Sequence, residues 1–290
     1  MSSHFRSGSR GRRAVKVTAL AGLAAVVLTG CSEQVQRGWL PGSRDTTSNT
    51  AELTDLWVNS WIAALIVGVL TWGLMLWCMV AYRRRKGETG YPRQLAYNVP
   101  LEIMYTIVPL VMVGVLFFYT DQVQRSVDEP FEDPDLVVDV RGKQWAWDFN
   151  YDYDGEERYF AGTQAHLTGE EGVEETLPTL YLPVGQEVHF ELNARDVIHS
   201  FWVPAFLQKR DMVPGRTNHM YLTPEEEGTF AGKCAELCGE YHSEMLFNVE
   251  VVSEQEFQEY LETLPEGQLG DEYDRNPNLN EDVAASEGAN

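Results

Sequence analysis

The sequence predicts a membrane-anchored α+β protein: a two-helix hairpin through the bilayer, followed by an all-β sandwich or barrel. Three observations predict it. Two long uncharged apolar runs lie within the first 120 residues. Beyond residue 135 the apolar positions alternate with a period of two, as on a strand with one buried face. Charge is split between the halves: residues 1–120 carry 12 basic and 6 acidic residues, a net +6, and residues 121–290 carry 10 and 38, a net −28. The second half therefore reads as a water-soluble acidic domain. Its charge disfavours nucleic acid as a partner and favours basic proteins met by electrostatic steering; acidity that merely keeps the domain soluble is the alternative.

Residues 1–30 have the layout of an export signal peptide. Arg6, Arg10, Arg12, Arg13 and Lys16 precede an apolar stretch from Val17 to Leu28, which is too short for a span of about 20 residues. Leu28-Thr29-Gly30-Cys31 resembles a bacterial lipobox, which would make Cys31 the lipidated new N-terminus; an ordinary signal or an uncleaved anchor is the alternative. Residues 31–55, polar and rich in Ser, Thr, Gly and Asn, are expected to be an extracytoplasmic linker. Leu56–Tyr82 is uncharged for 27 residues, enough to cross with some tilt, and gives the first span over 56–82. Arg83-Arg84-Arg85-Lys86 opens a loop over 83–97 and marks it as cytoplasmic, because basic clusters resist export. The second span, 98–120, contains an uncharged stretch of 18 residues from Ile103 to Thr120. Everything after Asp121 then lies outside. Glu102 stands at the cytoplasmic mouth of this span, where a carboxylate is costly unless it faces protein or water, so it is a functional candidate. Snorkelling to the interface is the plainer reading.

From Asp135 the strand pattern takes over. In Trp145–Tyr153 the odd positions are all aromatic. Glu187–Asn193, Val197–Val203, His219–Thr223 and Met245–Val252 are further strand candidates, separated by turns such as Pro183-Val184-Gly185 and Pro214-Gly215. Ser253-Glu254-Gln255-Glu256 is a capping box, and Phe257, Tyr260, Leu261 and Leu264 follow at helical spacing. The domain thus occupies 121–264. Residues 265–290 form an acidic tail, low in apolar content and expected to be disordered.

The chemistry concentrates in Cys234-Ala235-Glu236-Leu237-Cys238-Gly239-Glu240-Tyr241-His242-Ser243-Glu244-Met245. Two thiols, an imidazole and a thioether are soft or borderline ligands, and such sets select copper over hard cations. A mononuclear blue site uses one Cys; a second lets two thiolates bridge two coppers that share one odd electron. A second histidine must come from elsewhere, and His199 in Asp196-Val197-Ile198-His199-Ser200-Phe201 is the candidate. Zinc, usually held by C-x₂-C pairs, and a Cys234–Cys238 disulfide are the alternatives. The disulfide would leave His242 and Met245 without a purpose.

The C-x-E-x-C-x₃-H-x₂-M loop, the D-V-I-H-S-F segment, Gln144-Trp145-Ala146-Trp147, Pro214-Gly215-Arg216 and the hairpin together resemble subunit II of cytochrome c oxidase, over roughly residues 50–264. The lipobox and the acidic stretch Gly155–Glu175 look like an actinobacterial version of that subunit. The resemblance implies a Greek-key cupredoxin barrel with a binuclear copper centre, CuA. In it His199 and Met245 would hold one copper, His242 and the backbone carbonyl of Glu236 the other, with Cys234 and Cys238 bridging. The Glu236 side chain would meet a magnesium ion shared with subunit I. Trp145 would be the exposed tryptophan where electrons arrive from a c-type cytochrome; packing in the core, with Trp147, Phe149 and Tyr151, is its other reading. Glu102 would stand at the entrance of a proton path into subunit I. Haem belongs to that partner alone, where oxygen is reduced to water with proton translocation. The implied setting is a bacterial plasma membrane, beside subunits I and III. Which cytochrome donates, and whether a cytochrome bc complex joins in a supercomplex, is left open. Three rivals remain: a copper-free quinol oxidase subunit II, argued against by the complete ligand set; nitrous oxide reductase, whose propeller this chain is too short to contain; and a surface lipoprotein with zinc or a disulfide in the loop.

Overall fold

The computed structural model describes residues 32–91, 96–168 and 173–270. The signal sequence, Cys31, residues 169–172 of the acidic stretch and residues 271–290 of the tail lie outside them. After a single helical turn, α1 (Glu33–Gln36), come two long helices, α2 (Thr50–Ala81) and α3 (Val99–Val127). Each holds an 18-residue window of mean hydropathy 2.2 whose residues are unburied within the protein. Side chains such as Leu70, Trp72 and Phe117 are exposed on helices of this length, which suits a lipid surround and no aqueous one. The Asn98 side chain caps α3 by accepting from the Leu101 N–H at 3.3 Å.

Both helices run past the uncharged stretches. α2 starts at Thr50, whose hydroxyl donates to the carbonyls of Arg44 and Thr47. α3 continues through an Asp121–Arg125 pair, 2.8 Å apart at i,i+4, before ending at Val127.

Among the described residues the β domain has ten strands: β1 (Leu136–Lys143), β2 (Ala146–Tyr153), β3 (Glu156–Phe160), β4 (Thr179–Pro183), β5 (Val188–Ala194), β6 (His199–Val203), β7 (Gln208–Met212), β8 (Asn218–Leu222), β9 (Gly228–Cys234) and β10 (Leu246–Val252). They form two five-stranded sheets, ordered β3-β2-β1-β5-β8 and β4-β10-β9-β6-β7. The two sheets form the all-β sandwich or barrel that the sequence predicts. β1 shows the clean alternation of a strand with one buried face. Its Leu136, Val138 and Val140 meet Trp147, Phe149, Tyr151, Phe190, Phe201 and Phe247 in a core from which water is excluded. Gly232 in β9 makes room for this packing, because a Cβ there would lie 2.2 Å from the Phe247 ring. A last helix, α4 (Glu254–Thr263), begins with the expected capping box and lays Phe257 and Leu261 on the sandwich.

Three expectations need correction. Residues 31–55 are not a free linker where described: Thr46, Thr47, Thr50 and Thr54 are fully buried, and the Ser48 N–H donates to Thr223 O at 2.9 Å. Polar composition suggested solvent, but the Thr46 and Thr50 hydroxyls bond the backbone of their own turn, at Ser43 and at Arg44 and Thr47 respectively. The tail is also ordered at its start. Leu269 is buried, and its N–H donates to Asn150 Oδ1 at 2.9 Å while the Asn150 amide donates back to Leu269 O. Finally, β2 is buried on both faces. On the second face Asp148 accepts from Lys143 at 2.7 Å, Arg195 at 3.2 Å and the Gly162 N–H at 3.0 Å. Removing one arm of such a buried network typically costs about 3–5 kcal/mol.

Candidate metal centre

Two neighbouring strands and one loop build the centre. His199 opens β6 and Cys234 closes β9, and the pairing of these strands sets Phe201 opposite Cys234. The loop to β10 is pinned at its mouth by two bonds, Cys234 N–H to Met245 O and Ala235 N–H to Ser200 O, both 3.0 Å. Folding the loop back over itself needs Gly239 at φ +130°, a conformation costly for other residues. A short 3₁₀ turn, His242–Glu244, then delivers Met245 inward. Cys238, Met245 and His199 are buried, and His242 and Glu244 are partly covered.

The donors named above converge at one end of the sandwich. Cys234 Sγ and Cys238 Sγ are 3.9 Å apart, unbonded, so the disulfide is not formed. His199 Nδ1 lies 3.8 Å from Cys234 Sγ, and His242 Nδ1 lies 3.5 Å from Cys238 Sγ. Met245 Sδ is 3.7 Å from Cys238 Sγ, and the carbonyl oxygen of Glu236 is 3.2 Å from Cys234 Sγ. Both imidazoles turn Nδ1 toward the sulfurs. The two thiols share one negative charge: the hydrogen bond between them holds the Cys234 thiol well below the ordinary thiol range, and Cys234 in turn pushes Cys238 up. Two close thiols that cannot both ionise alone are suited to bridging cations, which would let both shed their protons. The set of two thiolates, two imidazoles, a thioether and a carbonyl fits copper by ligand softness.

Residues without an assigned role in the sequence reading support these donors. Asp196 accepts from the Gln144 N–H at 2.7 Å, and the Gln144 side-chain amide donates to Cys238 O at 2.7 Å. Gly142 lies under the His199 ring, where a Cβ would stand 3.1 Å from Cδ2. Burial, the largest single effect, disfavours the charged form of His199, yet the hydrogen bonds and charges of Asp196 and Cys234 together outweigh it and raise the pKa overall. The signal in the sequence was Asp196 three residues before His199, readable only once a ring orientation is known.

Trp145 lies just before β2, not in it. It is half-buried, packs on the core edge and meets the Tyr241 ring edge-on at 4.9 Å, directly over the metal loop. Glu102 sits in the first turn of α3, where its carboxylate accepts from the Asn98 N–H at 3.0 Å. The Glu236 side chain is exposed.

The family described as "Cytochrome C oxidase subunit II, periplasmic domain" matches residues 136–252. The chain is 42% identical to the probable cytochrome c oxidase subunit 2 of Streptomyces coelicolor, over 89% of each chain. It is 34% identical to cytochrome c oxidase subunit 2 of Mycobacterium bovis, over 91% of this chain and 85% of that protein. A solved structure, the periplasmic domain of subunit II of cytochrome oxidase of Bradyrhizobium japonicum, shares 32% identity across 45% of this chain and 94% of that one, with a TM-score of 0.39.

Proposed function

Because the chain belongs to the cytochrome c oxidase subunit II family, we propose that it is the electron-accepting subunit of a haem–copper oxidase. It takes electrons from a c-type cytochrome outside the membrane and hands them to haem in subunit I. The observation that carries this reading is the convergence of two thiols, two imidazole Nδ1 atoms, a thioether and a carbonyl at one end of the sandwich. Bound there, a copper pair supplies a one-electron couple whose odd electron is shared between two metals.

The chain's own contribution is positioning. Cys234 and Cys238 would bridge the pair, His199 and Met245 would complete one side, and His242 with the Glu236 carbonyl the other. Strands β6 and β9 hold these donors rigidly, and burial keeps water from the thiolates. Asp196 and Gln144 tie His199 and the Cys238 carbonyl to the segment bearing Trp145, which we take as the point of electron arrival. The acidic surface would attract a basic haem protein and speed its docking. On the other side of the membrane, Glu102 would admit protons to subunit I. The Glu236 carboxylate would share a magnesium ion with that subunit, subunit III would complete the core, and Cys31 would carry a lipid anchor. The basic loop Arg83–Lys86 puts the sandwich outside the cell membrane under this reading.

The test is copper loading of the full chain in detergent, read by metal content, visible absorption and electron spin resonance. The expected result is two coppers per chain, a coloured mixed-valence pair and hyperfine structure from two equivalent nuclei, all lost in Cys238→Ser. A chain that prefers zinc, or a Cys238→Ser variant that keeps the paired-copper signal, overturns the reading.

A further inference from the structure

The sandwich carries a second cluster of metal-ligating side chains, on the outer face of the other sheet. In the antiparallel pair β5–β8, Glu191 lies opposite His219, and His189 lies opposite Tyr221. His189 and Glu191 are two residues apart and so point to the same face, outward, because Val188, Phe190 and Leu192 between and beside them are buried. His219 joins them from β8. His189 Nε2 and His219 Nδ1 are 3.0 Å apart, and one ligand atom from each of the three residues falls within 4.8 Å of the others.

We propose that His189, Glu191 and His219 form a binding site for a divalent late first-row transition cation of the zinc class. Two imidazoles and a carboxylate are ligands that zinc accepts and that magnesium and calcium, which take oxygen, do not favour. Metal–nitrogen bonds of about 2.0–2.1 Å at a tetrahedral angle set two nitrogens roughly 3.3 Å apart. The two rings therefore need to part by only a few tenths of an ångström, while the carboxylate swings in from the same strand. The fourth position faces solvent and takes water. The His189 ring is held in place from behind. It stacks on Tyr221 at a centroid distance of 4.7 Å, and the Tyr221 ring in turn takes the edge of Phe131 at 5.9 Å. A merely adventitious pair of surface histidines would lack both the facing carboxylate and this backing.

The location gives the site a mechanical meaning. Tyr221 O accepts from the Asn49 side-chain amide at 2.8 Å, at the start of α2, and Phe131 belongs to the segment leaving α3. A cation joining β5 to β8 would thus brace the strand that the residue capping α2 and the segment following α3 both touch. The copper ligands sit on the other sheet, so the two sites take up metal independently.

The experiment titrates Zn(II) into the full copper-treated chain in detergent by calorimetry, beside His219→Ala, His219→Gln and Glu191→Gln. All four proteins keep the thiol loop, so zinc bound there cancels in the comparison whatever that loop holds. The wild-type chain is expected to take up one zinc more than either His219 variant. Glu191→Gln is expected to bind that zinc roughly tenfold or more weakly, the scale on which loss even of a supporting partner acts. Circular dichroism matching the wild type identifies which variants are folded, and His219→Gln serves where the alanine variant is not. Equal zinc stoichiometry and affinity in wild type and a folded His219 variant overturn the proposal.

Discussion

His199 Nε2 lies 2.7 Å from Asp196 Oδ1, while the other nitrogen of the same ring, Nδ1, faces Cys234 Sγ at 3.8 Å. The carboxylate therefore selects the tautomer: Nε2 carries the proton and donates, and Nδ1 keeps its lone pair for a metal. Asp196 remains ionised although burial opposes it, because His199 and the backbone N–H groups of Val197 and Gln144 all donate to it and hold its pKa down overall.

Asp196→Asn should accordingly leave every metal ligand in place yet weaken copper binding, by about 10–100-fold, the usual effect of losing a partner behind a ligating histidine. A competition titration against a copper chelator reads this, with the electron spin spectrum as a second readout that a purely structural role would not move. An unchanged affinity and spectrum would show that Asp196 does not orient His199.

Trp145 poses a different question, since it is half-buried against Tyr241 and is neither core nor fully exposed. As a docking anchor, its truncation in Trp145→Ala should cost about 2 kcal/mol at the cytochrome contact, roughly a 30-fold loss in apparent affinity. Copper content should stay unchanged, because the Gln144 and Asp196 bonds that support the loop do not involve the indole. Stopped-flow reduction by a basic c-type cytochrome at several salt concentrations measures it. Loss of copper along with the rate would assign Trp145 to packing instead.

The parts of this molecule that are legible in its sequence are those encoded locally. The membrane helices are continuous apolar runs, and the loop from Cys234 to Met245 places five of the six proposed copper donors within twelve residues. The strands that period-two alternation misses are β3, β4, β7 and β9. The first three lie at the edges of the sheets, where charged or mixed residues such as Glu156-Glu157-Arg158 and Lys209-Arg210-Asp211 blur the pattern and also discourage further pairing. β9 is central, but its Gly228 and Gly232 hide it, the latter serving the Phe247 ring. Residues 46–54 and Leu269 were unreadable for another reason. Their burial depends on partners far along the chain, Thr223 and Asn150, and composition carries no record of such contacts.

The aromatic group under α4 predicts an alkaline weakness. Tyr260 stacks on Tyr181 at 3.8 Å, and burial pushes its hydroxyl up to about 12. In the unfolded chain that hydroxyl ionises near 10. A raised folded value means that the contribution is whole below about pH 10 and is lost as pH rises toward 12, since the unfolded state sheds its proton first. At about 1.4 kcal/mol per pH unit the loss reaches roughly 2–3 kcal/mol. Between pH 9 and 12, Tyr260→Phe should therefore gain on the wild-type chain by that amount in denaturant unfolding followed by circular dichroism. Parallel pH curves for the two proteins would show that Tyr260 does not titrate in this way.

Glu102 can be tested because capping and the proposed proton-path role make different demands on one carboxylate. Its hydrogen bond from the Asn98 N–H, 3.0 Å long, closes the first turn of α3 and requires only an acceptor oxygen. A proton-path role requires a group that ionises. Glu102→Gln preserves the acceptor and removes the ionisation, so the helix start should survive while proton delivery to subunit I fails. In the assembled oxidase the expected result is a marked fall in steady-state oxygen consumption, with the rate of copper-centre reduction by cytochrome unaltered, because that step takes place on the opposite side of the membrane. Glu102→Ala should lower turnover as well and should also reduce the yield of intact complex, since it loses the cap. Normal turnover of Glu102→Gln over a range of pH would leave the carboxylate with capping alone.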